Sequence, residues 1–186
     1  SVYSDDGFSA YYPVAHEDDP HLNFPVNQVR DWVADQMRHR NQWNFYWHGG
    51  YDLGWLLEWG IEPAGKMYDG HVAEKLLLSS TSRRKSNSGA TLEESGQRHI
   101  GQGKRSVELL RWIQQYLGRG MPPDEDLDDS LKQFLYLTSP RLCGPYAEVD
   151  TKLLIPIADV QAPLLQERGL WEVFEMECDL IALVDR

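Results

Sequence analysis

Trp47-His48-Gly49-Gly50-Tyr51-Asp52-Leu53-Gly54-Trp55-Leu56 is the stretch on which the reading of this chain turns. It closes a short apolar run, Asn44 to Trp47, of the length and composition of a buried strand. Gly49-Gly50 breaks the run. Tyr51 to Trp59 then has helical spacing, and Gly60 is placed to close the helix. A strand that turns through two glycines into a helix delivers Asp52 to the rim of a sheet, where a cation can reach it. The other reading is plain: Asp52 caps the helix and the glycines serve the turn.

Outward from this stretch, residues 1–15 read as a β-hairpin, with Val2-Tyr3 and Phe8 to Val14 as strands and Asp5-Asp6-Gly7 as the turn. Residues 16–25 are a polar, Pro-bearing loop. Val29, Trp32, Val33 and Met37 place a helix over 26–39. Met67 to Leu78 is a second short strand or turn running into a helix. Residues 79–90 (SSTSRRKSNSGA) have loop composition. Helices are expected near 91–99, 105–118 and 130–137, with a Pro-rich, acidic connector over 121–129. From Tyr146 to Arg186 the chain reads as a helical tail. Pro156 and Pro163 should kink or interrupt it, and Gly169 should end one helix before Leu170 starts the next. There is no internal repeat. Strands early and helices late give an α/β class, a small sheet covered by helices.

The composition is globular: 41% of the 186 residues are hydrophobic and seven are Trp, enough to build a core. The apolar runs are too short to span a bilayer, so no membrane partner is expected, and the first residues lack the pattern of a signal peptide. Cys143 and Cys178 make neither a disulfide framework nor a zinc site, which suits a reducing, cytoplasmic setting. The net charge of −11 argues against gripping duplex DNA through the whole surface. The charge is uneven, however. Residues 83–119 hold eight Lys and Arg against three Glu, a local +5 on a body of −16. Arg83, Arg84, Lys85, Lys104 and Arg105 in that strip are candidates for steering a nucleic-acid strand. A solvated helix face and loop would carry the same charges.

Tyr146 and Asp150 are four apart, so on a helix a phenol and a carboxylate share a face. Nuclease chemistry uses both: the carboxylate holds a divalent metal and the phenol orients the attacking water. A Tyr packed on the core beside a surface Asp would show the same spacing. Asp69 could be a ligand, but such an Asp more often caps the helix that follows. His48, His71 and His99 lack zinc-site spacing. Gly101-Gln102-Gly103-Lys104 has neither the following Ser/Thr nor the preceding strand of a phosphate loop.

In chain order these signals resemble one family. Phe45 to Leu57 resembles the second exonuclease motif of the DnaQ-like superfamily, an Asn, two or three residues, an aromatic and an Asp. Leu92 to Lys104 is similar to that family's "SL…LA…YLG.GK" segment. Gly144-Pro145-Tyr146-Ala147-Glu148-Val149-Asp150 is similar to its third motif, Tyr-x-x-x-Asp. Pro163 to Asp185 resembles the helical segment that leads from exonuclease to polymerase domain in family A DNA polymerases of the bacteriophage type.

The resemblance implies a ribonuclease-H-like small sheet flanked by helices. Residues 1–168 would be a 3′–5′ exonuclease domain, and 169–186 the start of a helical connection to a polymerase domain in the same parent chain. It implies proofreading hydrolysis at a single-stranded DNA 3′ end, with two divalent metal ions, Mg²⁺ or Mn²⁺, in a bacterial host cytoplasm. Two such ions roughly 4 Å apart can generate a hydroxide and stabilise the leaving oxygen. Carried over, Asp52 is the second-motif ligand, Asp150 a direct ligand, and Tyr146 the residue that orients water. Two departures stand out. His48 occupies the place of the motif's Asn, so an imidazole would face the substrate. The family's first motif, Asp-x-Glu on the opening strand, is absent; the resemblance implies about 20–30 further residues upstream of Ser1. Hydrolysis by the chain as it stands should therefore be weak or absent. Two other readings compete: a degenerate, non-catalytic domain that supports a polymerase, and a ribonuclease-D-like RNA exonuclease.

Overall fold

The computed structural model describes residues 1–79, 89–103, 107–117 and 129–184. The chain is α/β and mostly helical. Among the described residues the strands form two two-stranded sheets, and the chain divides into two compact units, Ser1–Val29 with Lys104–Lys152 and Arg30–Gly103 with Leu153–Arg186. Among the described residues no helix is long and apolar enough to cross a membrane.

In the first unit, β1 (Val2–Tyr3) pairs antiparallel with β2 (Ser9–Ala10). The turn between them uses Gly7 at φ 88, and Asp6 accepts from the Phe8 backbone N–H at 3.0 Å. The hairpin is thus real but shorter than its sequence suggests: regular pairing stops at Ala10. Helix α1, Val26–Met37, begins in this unit and falls in the second from Arg30 on. This unit's core gathers Leu109, Leu110 and Ile113 of α5 (Val107–Tyr116) with Leu131 of a 3-10 segment, Asp129–Leu137. Tyr146 packs against that cluster. His16 is buried, and its Nδ1 meets the Thr138 carbonyl at 2.6 Å, tying the loop after the hairpin to the start of α6 (Pro140–Glu167).

The second unit is built on β3 (Trp43–Tyr46) and β4 (Lys66–Asp69), which pair in parallel with Trp43 opposite Lys66 and Tyr46 opposite Asp69. Parallel neighbours need a crossover, and α2 (Gly49–Glu58) supplies it. It ends as the sequence predicts. Gly60 takes φ 72, its N–H donates to the Leu57 carbonyl, and the Ile61 N–H reaches back to Leu56, the Schellman pattern. Helix α3 (Gly70–Ser79) follows β4 without a linker, and α4 (Leu92–Ile100) begins at a Thr91–Glu94 capping box. Tyr68, Ala73, Leu77, Ala158, Leu165, Phe174 and Cys178 form the core.

Two expectations about the tail are corrected. The helix starts at Pro140 rather than Tyr146, and it runs through Pro156 and Pro163 to Glu167 without interruption. An interior proline costs a helix about 3 kcal/mol. Burial of Leu153, Ile157, Ala158 and Leu165 outweighs that, at about 1.5–3 kcal/mol per large side chain. The expected break at Gly169 is present. Gly169 sits at φ 66, and the Leu170 N–H donates to Leu165 in a second Schellman turn before α7 (Trp171–Val184). Helix α7 packs back on β4 and α3 of its own unit.

Beneath α3, α4 and α6 lies a polar knot. Glu74 is 1% exposed. Its carboxylate receives the Arg98 guanidinium, His99 Nε2 at 2.7 Å and Gln161 Nε2 at 2.8 Å. Gln161 also donates to the Gly70 carbonyl and accepts from the Tyr68 hydroxyl. Burial alone would raise the Glu74 pKa. The bonds from His99 and Gln161 and the positive charges of His99 and Arg98 outweigh it, and the net shift is downward from 4.5. A depressed folded-state pKa means the carboxylate stabilises the fold above pH 4.5 and loses that contribution as pH falls through the lower folded value. Glu74→Ala should cost about 3 kcal/mol at pH 7, near the lower end for a broken buried pair because Arg98 keeps access to water. In denaturant titrations the gap between Glu74→Gln and the parent should narrow below pH 4.5; a gap independent of pH would remove the ionic account of the knot.

Candidate functional site

The turn from β3 into α2 is fixed by one carboxylate. Asp69, the last residue of β4, is 1% exposed. Its Oδ1 accepts from the N–H groups of His71 at 2.8 Å and Val72 at 3.2 Å, an N-cap on α3. Its Oδ2 accepts from the N–H of Gly49, the first residue of α2, at 2.7 Å. One side chain therefore serves two helix N-termini, where a negative charge is favoured by the helix dipoles as well as by the bonds. The cap read from sequence is present, and it extends to a second helix that spacing did not reveal.

This arrangement explains the glycines. A Cβ on Gly49 would sit 3.2 Å from Met67 Cε and 3.3 Å from Asp69 Oδ2. On Gly70 it would sit 2.8 Å from the Trp47 ring. His48, the residue before Gly49, adopts φ 64, a left-handed conformation rare outside glycine. Its ring lies against that of His71 with centroids 3.6 Å apart. Burial lowers the His71 pKa, opposed by its bond to the Ala90 carbonyl and reinforced by the charge of His48. His48 itself is exposed.

Asp52 lies in the first turn of α2, and the residue is exposed. Its carboxyl nonetheless titrates high, at about 6 against an ordinary 3.8. The residue as a whole is exposed but its carboxyl is largely withdrawn from water, and that desolvation is the first cause; repulsion from Asp69 is the second. Beneath it the buried Tyr46 donates its hydroxyl to Met37 Sδ at 3.9 Å, and the phenol pKa is pushed up by burial and then by the Asp52 charge. Two carboxylates thus sit near one turn in different environments. Asp69 has both oxygens engaged by backbone donors, whereas Asp52 lies on an exposed residue and its pKa is raised to about 6. A carboxylate whose charge is disfavoured suits a cation ligand. Asp69, with both oxygens engaged, does not. Next to Asp52 on α2, Tyr51 and Trp55 are exposed and meet edge to face, centroids 6.3 Å apart.

Tyr146 and Asp150 both fall on α6, so the predicted helical i, i+4 pairing holds. Both are half-buried, and Tyr146 also packs on the α5 core, as the alternative reading expected. Glu148 beside them accepts from Ser9 at 2.8 Å and Lys152 at 3.0 Å. Tyr146 and Asp150 belong to the first unit, His48 and Asp52 to the second. Arg83, Arg84, Lys85, Lys104 and Arg105 lie outside the described residues. Gly101 closes α4 at φ 67. Among the described residues, no group of three or more His, Cys, Asp or Glu is arranged to hold a metal ion.

No family model, curated protein or solved structure matches this chain.

The two carboxylates predict opposite mutational outcomes. Asp69→Ala removes a cap and orphans the Gly49 N–H, and should destabilise the fold by about 2–4 kcal/mol in equilibrium unfolding. Asp52→Asn should stabilise it, in a manner set by pH. A folded pKa raised to about 6 favours folding fully below 3.8 and loses that contribution as pH rises through 6. The melting temperature of Asp52→Asn should therefore match the parent near pH 4 and exceed it at pH 7. A difference of equal size at both values would remove the electrostatic cause.

Proposed function

We propose that this chain is a DnaQ-like 3′–5′ exonuclease domain of ribonuclease-H-like type, acting on a DNA 3′ end in the setting of a polymerase. The observation that supports it most is the junction of β3 and α2, where the helix starts at Gly49 itself rather than after the two glycines. It sets Asp52 just past the C-terminal end of a strand in a parallel pair, open to solvent. Crevices at the carboxyl ends of parallel strands are where ligands bind in α/β sheets. Tyr146 and Asp150 on one face of α6 support the same reading through the third-motif spacing.

In this reading Asp52 of the second unit and Asp150 of the first are each a candidate cation ligand, and Tyr146 Oη, on the α6 face it shares with Asp150, orients the attacking water. When bound, such cations lower the pKa of that water and offset charge on the leaving oxygen. Asp69 takes no part in the reaction; it holds the turn that aims Asp52. Two carboxylates are fewer than two hard cations require, so the affinity of this chain for them is expected to be weak and its hydrolysis slow at most.

One observation favours a second reading. The His48 ring, at the position of the motif's Asn, lies against His71. That suits a domain retained to support a polymerase without catalysis.

The test uses Mn²⁺ and the intact chain. Mn²⁺ should selectively broaden NMR resonances around residues 49–52 and 146–150, and Asp52→Ala and Asp150→Ala should abolish the effect. With 5′-labelled single-stranded DNA, any shortening from the 3′ end should vanish in the same variants. Shortening that vanishes in the variants excludes the second reading, whereas selective broadening without shortening fits both. Broadening that is absent, or indifferent to both substitutions, contradicts the proposal.

A further inference from the structure

Helix α7 has two apolar faces, and its own unit covers one. Phe174 and Cys178 point into the core and are buried. On the opposite side Val173, Met176, Leu180 and Leu183 are 39%, 53%, 46% and 63% exposed. Their spacing of three, four and three residues draws a narrow stripe along the helix, the seam of a left-handed helix pair. An amphipathic surface helix needs one apolar face, and a second in this register is a surface built for contact.

The charges beside the stripe say what kind of contact. Helix α7 carries Glu172, Glu175, Glu177 and Asp179 and no Lys or Arg. At 100° per residue, Glu172 and Asp179 flank one edge of the stripe and Glu177 the other. All three are exposed and have no ion-pair partner among the described residues. Glu175, further round, is engaged by Lys66 Nζ at 3.6 Å. A second copy of this chain would set acid against acid along such a seam and be repelled. A partner with an apolar ridge and a basic rim would gain burial and charge complementarity together.

We propose that the outward face of α7 is a docking surface for a basic amphipathic helix of a partner protein. The partner's apolar residues lie along Val173, Met176, Leu180 and Leu183, and its Lys or Arg side chains face Glu172, Glu177 and Asp179. This surface is independent of the chemistry assigned to Asp52.

The experiment titrates the full chain with two synthetic helical peptides, followed by amide chemical shifts. Both carry Leu at heptad positions a and d; one has Lys at e and g, the other Glu. The Lys peptide should shift amides across 172–183 and bind about tenfold or more tighter than the Glu peptide in low salt, with the preference shrinking as salt is added. Met176→Glu with Leu180→Glu should abolish binding without changing the circular dichroism spectrum. The triple reversal Glu172→Lys, Glu177→Lys, Asp179→Lys should invert the peptide preference, and it tests the proposal through exposed positions alone. Equal affinity for both peptides, shifts confined to other parts of the chain, or a dimer of this chain by sedimentation with α7 at its interface would each overturn it.

Discussion

A single buried carboxylate sets the geometry on which the second unit depends. Asp69 closes β4, caps α3 and holds the first amide of α2 across twenty residues of sequence. Three backbone donors and two helix N-termini offset the desolvation of its charge, which an isolated carboxylate could not bear in that position. The neighbouring glycines follow from it. Gly49 must come within bonding distance of the carboxylate, and Gly70 must leave room for the Trp47 ring. The strand–helix junction that carries Asp52 is tied to β4 by the bond from the Gly49 N–H to Asp69.

That junction has an electrostatic consequence. Desolvation of the Asp52 carboxyl, and after it the nearby Asp69, opposes the ionisation of Asp52. The turn thus divides the work of two acids by environment. One is satisfied and structural; the other lies on an exposed residue and has a pKa moved toward neutrality, as at sites that bind cations or move protons. Within α3, Glu74 gives the same lesson in a different role. Its charge is met by Arg98, His99 and Gln161, and it serves to join three helices rather than to meet solvent.

Much of this was legible in the sequence because it is local. The β3–α2–β4–α3 order, the stops at Gly60 and Gly169, the hairpin turn at Gly7 and the shared helix face of Tyr146 and Asp150 all follow from patterns within a few residues. The errors come from tertiary contact. Pro156 and Pro163 read as breaks, yet burial along α6 carries the helix through both. Phe8 to Val14 reads as a strand, but pairing is lost after Ala10, and the Tyr11 hydroxyl instead meets His16 and Cys143. The second role of Asp69, the stacking of His48 on His71 and the Glu74 knot join residues about 20 or more apart, and no spacing rule reaches them. Thr91-x-x-Glu94 was a readable signal: it is a capping box and marks the start of α4.

The most direct measurement is a ¹³C NMR titration of the Asp52 and Asp69 side-chain carboxyls with Mg²⁺ near neutral pH. If the turn divides the two acids as described, the Asp52 carboxyl resonance moves with added Mg²⁺ while that of Asp69, held by its three amides, stays in place. If the Asp52 resonance is indifferent to Mg²⁺, or Asp69 responds in its stead, the assignment of one carboxylate to structure and the other to function is wrong.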